Sequence, residues 1–380
     1  MNPMEGASAA ERVLLRQASI GLTPINGSIE LLPLCNMNCD MCYVRLSREE
    51  MERRGRMRTA EEWLSVARQM KEAGTLFLLL TGGEPLIYPD FKRLYLELRN
   101  IGMLVTINTN GTLIDEEWAA FFGAYKPRRI NITLYGADEQ AYADLCHYPG
   151  GFEKTVNAVR LLREQGVEVK LGVSLTPKNE KDVARFYEIG RELGVHVNID
   201  TYMMPAERER SLPFDQQARL SPEAAARGRI RAFSLMMGRE RFTRFAMENV
   251  YAAHHMKPDE KPNRMSCLAG SCSFTVNWQG KMRPCVVMAE PEADVFEMGF
   301  DAAWRHIRRE ADKIVMNSRC SACPLRALCR TCAAGALLET GSYDGVPEYL
   351  CRYAQESLRQ LEGFCRHVMQ KRQEQQINEP

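Results

Sequence analysis

The chain has 380 residues, enough for two or three domains, and its hydrophobic content of 45% is ordinary for a folded globular protein. Fifty basic and forty-nine acidic residues give a formal net charge of +1, so no overall charge favours nucleic acid or an anionic membrane. No apolar run approaches the roughly 18 residues that cross a bilayer, and the chain opens with an early Glu5 and no hydrophobic signal core. We therefore expect a cytoplasmic protein that binds neither nucleic acid nor membrane.

Short apolar runs alternate with longer amphipathic runs from Ser28 onward. Several short runs are nearly continuous in apolar residues, as expected for parallel strands covered on both faces. The predicted strands are Ser28–Leu34, Leu76–Thr81, Met103–Asn108, Ile130–Tyr135, Glu168–Leu175 and Val197–Tyr202. The longer runs predict the helices Ala60–Ala73, Phe91–Ile101, Glu116–Ala124, Glu139–Leu145, Phe152–Gln165 and Glu180–Leu193. This alternation predicts an α/β fold whose parallel sheet, with right-handed crossovers, is open or curled into a partial barrel.

Three cysteines with the spacing Cys35-x3-Cys39-x2-Cys42 follow the first predicted strand, and no obvious fourth cysteine lies nearby. A closed [4Fe–4S] cluster has four protein thiolates, so three leave one iron free to bind something else, as a catalytic metal keeps an open position. Disulfides are not expected in a chain of this size without a signal sequence. The spacing therefore indicates a reactive iron–sulfur cluster.

Polar and glycine-rich motifs follow the next predicted strands, at the edge where parallel sheets carry their working surface. Gly82-Gly83-Glu84-Pro85 comes after the second strand and Asn108-Thr109-Asn110-Gly111 after the third, while Thr133 and Tyr135 end the fourth. Each motif alone is typical of a turn. Because the motifs and the cysteines occur at successive strand ends, we expect one common site there.

Cys35-Asn36-Met37-Asn38-Cys39-Asp40-Met41-Cys42, followed by Thr81-Gly82-Gly83-Glu84-Pro85, resembles the radical S-adenosylmethionine (radical SAM) superfamily. The resemblance covers about Ser28 to Tyr202. It implies that the three cysteines hold a [4Fe–4S] cluster whose fourth iron takes the amino and carboxylate groups of S-adenosylmethionine. It also implies that reduction of the cluster yields a 5′-deoxyadenosyl radical, which abstracts hydrogen from a substrate.

The same resemblance implies a set of contacts to the cofactor. The two glycines would let the backbone approach it, and Glu84 would accept a hydrogen bond from its ammonium group. Two positions depart from the family pattern, because Met41 stands where an aromatic residue is usual and Asp144 to Tyr148 offers no arginine for the carboxylate. The expected cofactor-binding residues are Met41, Tyr43, Gly82, Gly83, Glu84, Pro85, Asn108, Asn110, Thr133 and Leu175.

A second group of cysteines lies near the C-terminus. Its pairs Cys320-x2-Cys323 and Cys329-x2-Cys332, taken alone, fit zinc knuckles and iron–sulfur ligands equally well. The whole group resembles the SPASM domain, which adds two auxiliary [4Fe–4S] clusters to radical SAM enzymes and makes three in total. The family pattern implies one cluster at Cys267, Cys272, Cys285 and Cys332 and another at Cys320, Cys323, Cys329 and Cys351. Ser273–Trp278 and Lys281–Met288 predict a hairpin that brings Cys272 and Cys285 together.

Two cysteines stand outside both groups. Cys365 lies on an apolar stripe of a predicted C-terminal helix, where a buried packing role is expected. Cys146 follows the fourth strand, and we favour a packing thiol over a donor of hydrogen atoms to a substrate radical. The candidates for a catalytic base or hydrogen donor, chosen because they lie near strand ends, are Tyr135, Cys146, His147, Asp200 and Tyr202.

These features predict five segments along the chain. A lead segment at 1–27 precedes a partial (β/α)6 barrel at 28–204, a helical connector at 205–264, a SPASM domain at 265–352 and a C-terminal helix and tail at 353–380. The first part of the connector, Pro205–Phe245, holds nine arginines against five acidic residues. Arginine forks there could bind an acidic peptide, although such a cluster is more often a solvated helix face.

Radical SAM proteins with SPASM domains mostly modify ribosomally made peptides or proteins, so the resemblance implies oxidative modification of a peptide by crosslinking, oxidation or epimerisation. A flavodoxin- or ferredoxin-type protein would supply electrons. Many such enzymes grip a leader peptide with an N-terminal winged-helix segment, whereas only 34 residues precede Cys35 here. We therefore expect a separate leader-peptide-binding protein or direct recognition of the core peptide.

Three alternatives remain open at the level of sequence. Sulfatase maturation to formylglycine uses the same architecture, but those enzymes commonly carry an Asp after the cysteine that matches Cys285, and Val286 stands here. The second alternative is dehydrogenation or epimerisation of a small molecule. The third belongs to another class, a non-catalytic iron–sulfur electron carrier or a zinc-stabilised binding module, and it predicts closed clusters or a colourless protein.

Overall fold

The structure, a computed structural model, describes residues 8–205, 208–210, 218–255, 264–265, 267–329 and 331–377. Contacts divide the chain into two compact units. The first unit contains Met1–Gly172, Ala206–Gln217 and Met265–Ile314, and the second contains Val173–Pro205, Ala218–Arg264 and Val315–Pro380. The predicted segment boundaries at 27, 204, 264 and 352 remain predictions. Parts of the predicted lead segment, connector, SPASM domain and tail, at 1–7, 206–207, 211–217, 256–263, 266, 330 and 378–380, lie outside the described residues.

All six predicted strands are present in the predicted chain order, and three further strands follow them. The strands are β1 Asn26–Glu30, β2 Phe77–Thr81, β3 Leu104–Thr109, β4 Arg129–Thr133, β5 Val169–Ser174, β6 His196–Asp200, β7 Ser273–Val276, β8 Lys281–Arg283 and β9 Ala293–Asp294. In the first unit the order is β5-β4-β3-β2-β1-β7-β8-β9. Strands β1 to β5 pair in parallel, which confirms the predicted α/β fold. The strand β6 lies in the second unit, where Leu175 N–H donates to the Asp200 carbonyl at 2.9 Å.

The six predicted helices are also confirmed, as α3 to α8. The helices in the first half are α1 Ala9–Gly21, α2 Arg48–Arg54, α3 Ala60–Glu72, α4 Phe91–Asn100, α5 Glu116–Ala124, α6 Glu139–Cys146, α7 Gly151–Glu164 and α8 Val183–Glu192. The remaining helices are α9 Pro222–Met237, α10 Arg239–His255, α11 Val295–Met298, α12 Phe300–Asp312, α13 Ser318–Ser321, α14 Ala333–Thr340 and α15 Glu348–Ile377. Capping boxes at Ser8, Ser47 and Thr59 begin α1, α2 and α3, because each hydroxyl and the glutamate three residues later satisfy backbone N–H groups reciprocally.

The predicted hairpin before Cys285 is confirmed, since β7 and β8 pair antiparallel with Thr275 opposite Arg283. Its place in the molecule was not predicted. Strand β7 lies parallel to β1, with Asn26 opposite Ser273 and Ile29 opposite Val276, so the hairpin continues the parallel sheet beyond its first strand. The strand β1 is therefore covered on both edges.

One face of this sheet is apolar and the other is polar near the carboxyl edge. Ile29, Leu80 and Ile107 are completely buried on the apolar face. The row on the opposite face contains Glu30, Thr81, Asn108, Asn131 and Lys170. The expectation of apolar cover on both faces therefore holds for one face only. Polar groups in such a row need partners because they are shielded from water.

The second unit is mainly helical in its later part. Its hydrophobic core contains Ile230, Phe242, Leu328 and Leu361. Cys365 packs against this core, which confirms its predicted packing role, but it is half-buried rather than buried. The Phe242 and Phe364 rings meet edge to face with centroids 4.8 Å apart. Among the helices that the structure describes, none is long and apolar enough to span a membrane.

Candidate active site

The three-cysteine loop begins five residues after β1 and is fastened to the end of α6. Asn38 N–H donates to the Cys146 carbonyl at 3.1 Å, and Asp40 N–H donates to the Leu145 carbonyl at 3.0 Å. Cys39 lies between these two bonds. A further bond, from Cys42 N–H to the Cys39 carbonyl at 3.1 Å, closes the turn that carries the last two cysteines. The backbone thus holds the loop in place without help from the thiols.

Backbone and side-chain N–H groups point at the cysteine sulfurs. Met37 N–H lies 3.4 Å from Cys35 Sγ, and Arg45 N–H lies 3.3 Å from Cys42 Sγ. Burial raises the pKa of the Cys35 thiol to about 12. A metal-bound thiol is deprotonated outright, and N–H donors of this kind stabilise the resulting thiolates.

The donor set fits a [4Fe–4S] cluster. All three thiols are free of disulfides and lie on one short loop. Within the described ranges, no three Cys, His, Asp or Glu side chains converge on the position of a single metal ion. Three thiolates on one short loop are a donor set that a [4Fe–4S] cluster accepts.

The Gly82-Gly83 turn packs directly against the backbone that leads to Cys35. A Cβ at Gly82, where φ is +138°, would lie 2.4 Å from the Leu32 carbonyl oxygen, and one at Gly83 would lie 2.1 Å from the Leu34 oxygen. Gly83 N–H donates to the Leu32 carbonyl at 2.8 Å. These glycines are therefore required by the neighbouring chain itself, and their approach to a cofactor remains a prediction. Pro85 begins a short 3₁₀ helix that ends this turn.

Glu84 joins the ends of β2 and β3. Its carboxylate is completely buried and accepts hydrogen bonds from Thr109 Oγ1 at 2.7 Å, from Asn110 N–H at 2.8 Å and from Leu86 N–H at 3.1 Å. Burial raises the pKa of Glu84 to about 7, and these donors oppose the shift. The carboxylate already accepts hydrogen bonds from these three protein groups, and its bond to the ammonium group of the cofactor remains a prediction.

The two asparagines of the third motif have different surroundings. Asn110 Nδ2 donates to Asn36 Oδ1 at 2.8 Å, and Asn36 Nδ2 donates to Thr112 Oγ1 at 2.9 Å, so Asn110 braces the start of the cysteine loop. Asn108 Oδ1 instead accepts from Asn131 Nδ2 at 2.7 Å, within the polar row of the sheet. Thr133 ends β4 opposite Gly172, at the carboxyl edge of the same row of strands.

Cys146 is a fourth thiol beside the cluster loop. Its thiol is hydrogen-bonded to that of Cys39, and the Tyr135 hydroxyl donates to the same Cys39 sulfur. The bond with Cys146, followed by burial, raises the pKa of Cys39. The expectation that no fourth cysteine lies near the three-cysteine group is therefore wrong in three dimensions, because α6 returns Cys146 to this loop.

The other catalytic candidates lie in separate places. His147, in a left-handed conformation at φ +51°, has Nε2 2.6 Å from Asp40 Oδ1 and thereby also braces the loop. Asp200 and Tyr202 belong to the second unit, where Tyr202 Oη donates to Glu339 Oε1 at 3.0 Å. The predicted cofactor contact Leu175 is also in that unit and is completely buried.

Arg208 to Arg210, part of the arginine-rich stretch Pro205–Phe245, crosses the cysteine loop, a contact that the sequence did not predict. Glu209 N–H and Arg210 N–H both donate to the Tyr43 carbonyl at 3.1 Å. The Arg210 guanidinium lies 3.3 Å from the Cys39 carbonyl oxygen. Arg208 forms a buried ion pair with Glu30, with N–O distances of 2.8 and 2.7 Å. Met41 and Tyr43 remain predicted cofactor contacts, half-buried in this loop.

The C-terminal cysteines form two sets. In the first unit, Cys272 precedes β7 and Cys285 follows β8, so the hairpin places both at its open end. Cys267 lies within electrostatic range of each.

In the second unit, four thiols lie within electrostatic range of one another: Cys320, Cys323, Cys329 and Cys351. The predicted fourth ligand of the first set, Cys332, belongs to the second unit, where its Sγ accepts from Gly335 N–H at 3.3 Å. Its assignment remains a prediction.

Comparison with known proteins gives a consistent result. The profile of the radical SAM superfamily matches residues 29–189. The AdoMet-dependent heme synthase of Methanosarcina barkeri is 24% identical over 329 residues, which is 83% of this chain and 92% of that protein. The subtilosin biosynthesis protein AlbA of Bacillus subtilis is 22% identical over 324 residues, 81% of this chain and 67% of that protein.

Two solved structures share the fold. Streptococcus suis SuiB bound to its precursor peptide SuiA superposes with a TM-score of 0.61 at 17% identity, over 92% of this chain and 81% of SuiB. Native anSMEcpe with bound AdoMet superposes with a TM-score of 0.66 at 19% identity, over 91% of this chain and all of that chain. The three-cysteine loop, the strand-end motifs and these likenesses agree: over residues 29–189 the chain matches the radical SAM superfamily, and its fold is that of these solved structures.

Proposed function

We propose that this protein is a radical SAM enzyme that uses S-adenosylmethionine and a [4Fe–4S] cluster and acts as a peptide maturase. It would remove hydrogen from a residue of a ribosomally made peptide or protein and leave that residue crosslinked, oxidised or epimerised. The observation that carries the proposal is the three-cysteine loop, held by the backbone of α6 and by the β2 and β3 turns. The peptide substrate is supported by the likeness to AlbA, named for biosynthesis of the bacteriocin subtilosin, and to SuiB, solved with a precursor peptide.

Each group of residues has a distinct task in this proposal. Cys35, Cys39 and Cys42 hold the cluster, which when bound supplies the electron that cleaves S-adenosylmethionine to a 5′-deoxyadenosyl radical. Glu84 and Asn110 fix the loop from the ends of β2 and β3, so that the ligand geometry exists before the cofactor arrives. Cys39 and Glu84 are buried, so water is excluded around them. A carbon radical and a low-potential cluster both require a site without water.

The remaining cysteines serve electron transfer. Cys320, Cys323, Cys329 and Cys351 hold one auxiliary [4Fe–4S] cluster, and Cys267, Cys272 and Cys285 contribute to another. Because a fully ligated cube has no vacant iron, these clusters would take the electron that the substrate radical gives up. A flavodoxin- or ferredoxin-type protein would reduce the enzyme, and a separate leader-binding protein would present the peptide in the cytoplasm.

The test is anaerobic reconstitution of the full chain followed by incubation with S-adenosylmethionine, dithionite and small peptides encoded beside the gene. We expect on the order of twelve irons per chain, release of 5′-deoxyadenosine, and a peptide that has lost two hydrogens or exchanged one with deuterated solvent. Failure of the wild-type enzyme to release 5′-deoxyadenosine contradicts the radical chemistry. Release without change in any peptide contradicts the substrate class.

A second candidate is chemistry on a tetrapyrrole, favoured by the match that covers 92% of the M. barkeri heme synthase. The same incubation with an iron porphyrin distinguishes the two, because conversion would appear in the Soret absorbance and the porphyrin mass. Formylglycine formation is less favoured, since no carboxylate follows Cys285 and the Val286 carbonyl accepts a hydrogen bond from Arg208 at 2.6 Å.

A further inference from the structure

The Arg208–Glu30 ion pair is among the most deeply buried charges in the described part of the first unit. Both side chains are only 2% exposed. Two parallel bonds join the guanidinium to the carboxylate, from Nη1 to Oε1 at 2.8 Å and from Nη2 to Oε2 at 2.7 Å. Glu30 is the last residue of β1, and Arg208 comes from a segment 178 residues later in the chain. Such a pair is costly to bury, so its position calls for a reason beyond stability.

The neighbours of Arg208 belong to two different cysteine sets. Its guanidinium carbon lies 5.3 Å from the centre of the Tyr43 ring, and Tyr43 directly follows Cys42. Its Nη1 also donates to the carbonyl of Val286, which directly follows Cys285. Arg208 is therefore the residue that bridges the loop of the first cluster and the open end of the hairpin.

Among the described residues, further charges lie close to the pair or to the cysteine loop. Arg210 Nη1 lies 3.3 Å from the Cys39 carbonyl oxygen. Glu209 Oε1 lies 3.5 Å from Arg208 Nη2, and Arg54 Nη1 lies 3.4 Å from Glu209 Oε2. Arg54 and Glu209 form an ion pair of their own, and Arg208 and Glu30 are the buried pair that contacts both cysteine-bearing segments. Tyr43, whose pKa burial raises, stays neutral between the two cysteine loops.

Reduction adds one negative charge to an iron–sulfur cluster. A buried positive charge nearby stabilises the reduced state and raises the reduction potential, whereas a buried negative charge lowers it. Charges in a low-dielectric interior act over longer distances than charges at a wet surface, because solvent does not screen them. The balance of a buried pair can therefore adjust two clusters at once.

We propose that Arg208 and Glu30 are positioning residues for electron transfer, which set the reduction potentials of the iron–sulfur sites at Cys35, Cys39 and Cys42 and at Cys267, Cys272 and Cys285. This inference rests on the proposed function, because it requires iron–sulfur sites on both sides of the bridge. It adds a role for two residues that lie outside the cysteine sets.

The test is a redox titration of the reconstituted full chain, followed by electron paramagnetic resonance, in four variants. Glu30→Gln keeps the shape of the side chain but leaves the positive charge of Arg208 uncompensated, so both midpoint potentials rise. A tenfold change in the equilibrium constant for one-electron reduction corresponds to a shift of about 59 mV, which is the expected size. Arg208→Met leaves Glu30 uncompensated, so both midpoints fall at a pH high enough to keep the Glu30 carboxylate ionised. Arg208→Lys keeps the charge and stays near the wild type. Arg56→Met, which removes an exposed cation that also pairs bidentately with a glutamate, leaves both midpoints unchanged.

Opposite shifts in the two charge-changing variants support the inference, since mere loosening of the fold would not reverse sign. Unmoved midpoints in Glu30→Gln, or shifts of the same sign in both, overturn it. If Arg208→Met loses iron, the midpoint potentials of Glu30→Gln are compared with those of the double variant Glu30→Gln/Arg208→Met. We expect the double variant, which lacks both charges, to have midpoints close to those of the wild type. The midpoint potentials can be measured without any substrate, so the two proposals can fail separately. Unmoved midpoints in an enzyme that still modifies its peptide refute this inference alone. Shifted midpoints in an enzyme that modifies no peptide refute the proposed function alone.

Discussion

The two units carry their cysteines in different ways. In the first unit, Cys35, Cys39 and Cys42 lie within eight residues, and the backbone of α6 and the β2 turn holds their loop. In the second unit, the set from Cys320 to Cys351 spans α13, the turn after it and the start of α15, and its thiols are half-buried. The first arrangement is preorganised by hydrogen bonds, whereas the second is gathered from separate segments. The comparison leads us to expect that the first site is formed before its cofactor binds, whereas the second would need bound metal to hold its segments together.

The largest expected difference concerns catalysis. Cys42→Ala should abolish 5′-deoxyadenosine release and lower the iron content by about four per chain, because the cluster that binds S-adenosylmethionine loses a corner. Cys320→Ala should lose a similar amount of iron but still release 5′-deoxyadenosine, without completing the modification of the peptide. Iron analysis and chromatography of the nucleoside measure both. Equal loss of 5′-deoxyadenosine in the two variants would remove the distinction between the sites.

A backbone prediction tests the preorganised loop. Gly83→Ala should cost about 3 kcal/mol of stability and most of the iron at the first site, because the new Cβ meets the Leu34 carbonyl at 2.1 Å. Gly172→Ala is the matched control, since nothing lies within 4 Å of its Cβ. Thermal unfolding and iron content of both variants measure the effect. A Gly83→Ala enzyme with full iron and an unchanged Tm would show that the loop is not held by this contact.

The buried carboxyl of Glu84 predicts a pH effect in the first unit. Its pKa of about 7 exceeds the usual 4.5, so the folded state binds a proton that the unfolded state has lost. Stability from this group is therefore greatest below pH 4.5 and falls as the pH rises to 7, by about 3 kcal/mol in all. Glu84→Gln removes this dependence, so the Tm difference between wild type and variant should shrink from pH 5 to pH 8. A constant difference over that range would contradict the raised pKa.

Removal of iron sharpens the comparison of the two units. After anaerobic chelation, amide hydrogen exchange should accelerate around residues 318–332 more than around residues 35–42, because metal binding contributes to folding where segments are gathered by ligands. Mass spectrometry of peptides from both regions measures the ratio. Faster exchange around residues 35–42 than around residues 318–332 would contradict the preorganisation of the first site.

The smallest effects are expected from two tyrosines. Tyr202→Phe in the second unit loses one hydrogen bond to Glu339 and should cost about 1 kcal/mol, with no change in 5′-deoxyadenosine release. Tyr135→Phe loses the donor to the Cys39 sulfur, so the midpoint of the first cluster should fall slightly while its iron is retained. Denaturation and redox titration of both variants separate a structural tyrosine from one that acts on the cluster.

Local features of the chain were predictable from sequence. The glycine turn, the cysteine loop and the strand ends are short motifs, and a parallel sheet must bring them to one edge. The hairpin was predicted too, but not its pairing with β1, because nothing in Ser273–Val276 identifies a partner strand.

Contacts between distant segments could not be predicted in this way. No motif in the sequence drew attention to Glu30, the last residue of β1. The nine arginines in Pro205–Phe245 suggested only an acidic-peptide site or a solvated helix face, and the fold alone pairs Arg208 with Glu30. Cys146 was similarly hidden, since its approach to Cys39 depends on where α6 ends.

The pairing of β7 with β1 limits how this protein can be shortened. A truncated chain that stops before residue 264 would leave the N–H and C=O groups along one side of Asn26–Glu30 without partners. Unpaired strand edges recruit other chains, so such a fragment should precipitate or self-associate rather than persist as a free catalytic module. The cysteine-rich hairpin is thus a necessary flank of the sheet, and protein engineers should retain it even where only cofactor cleavage is wanted.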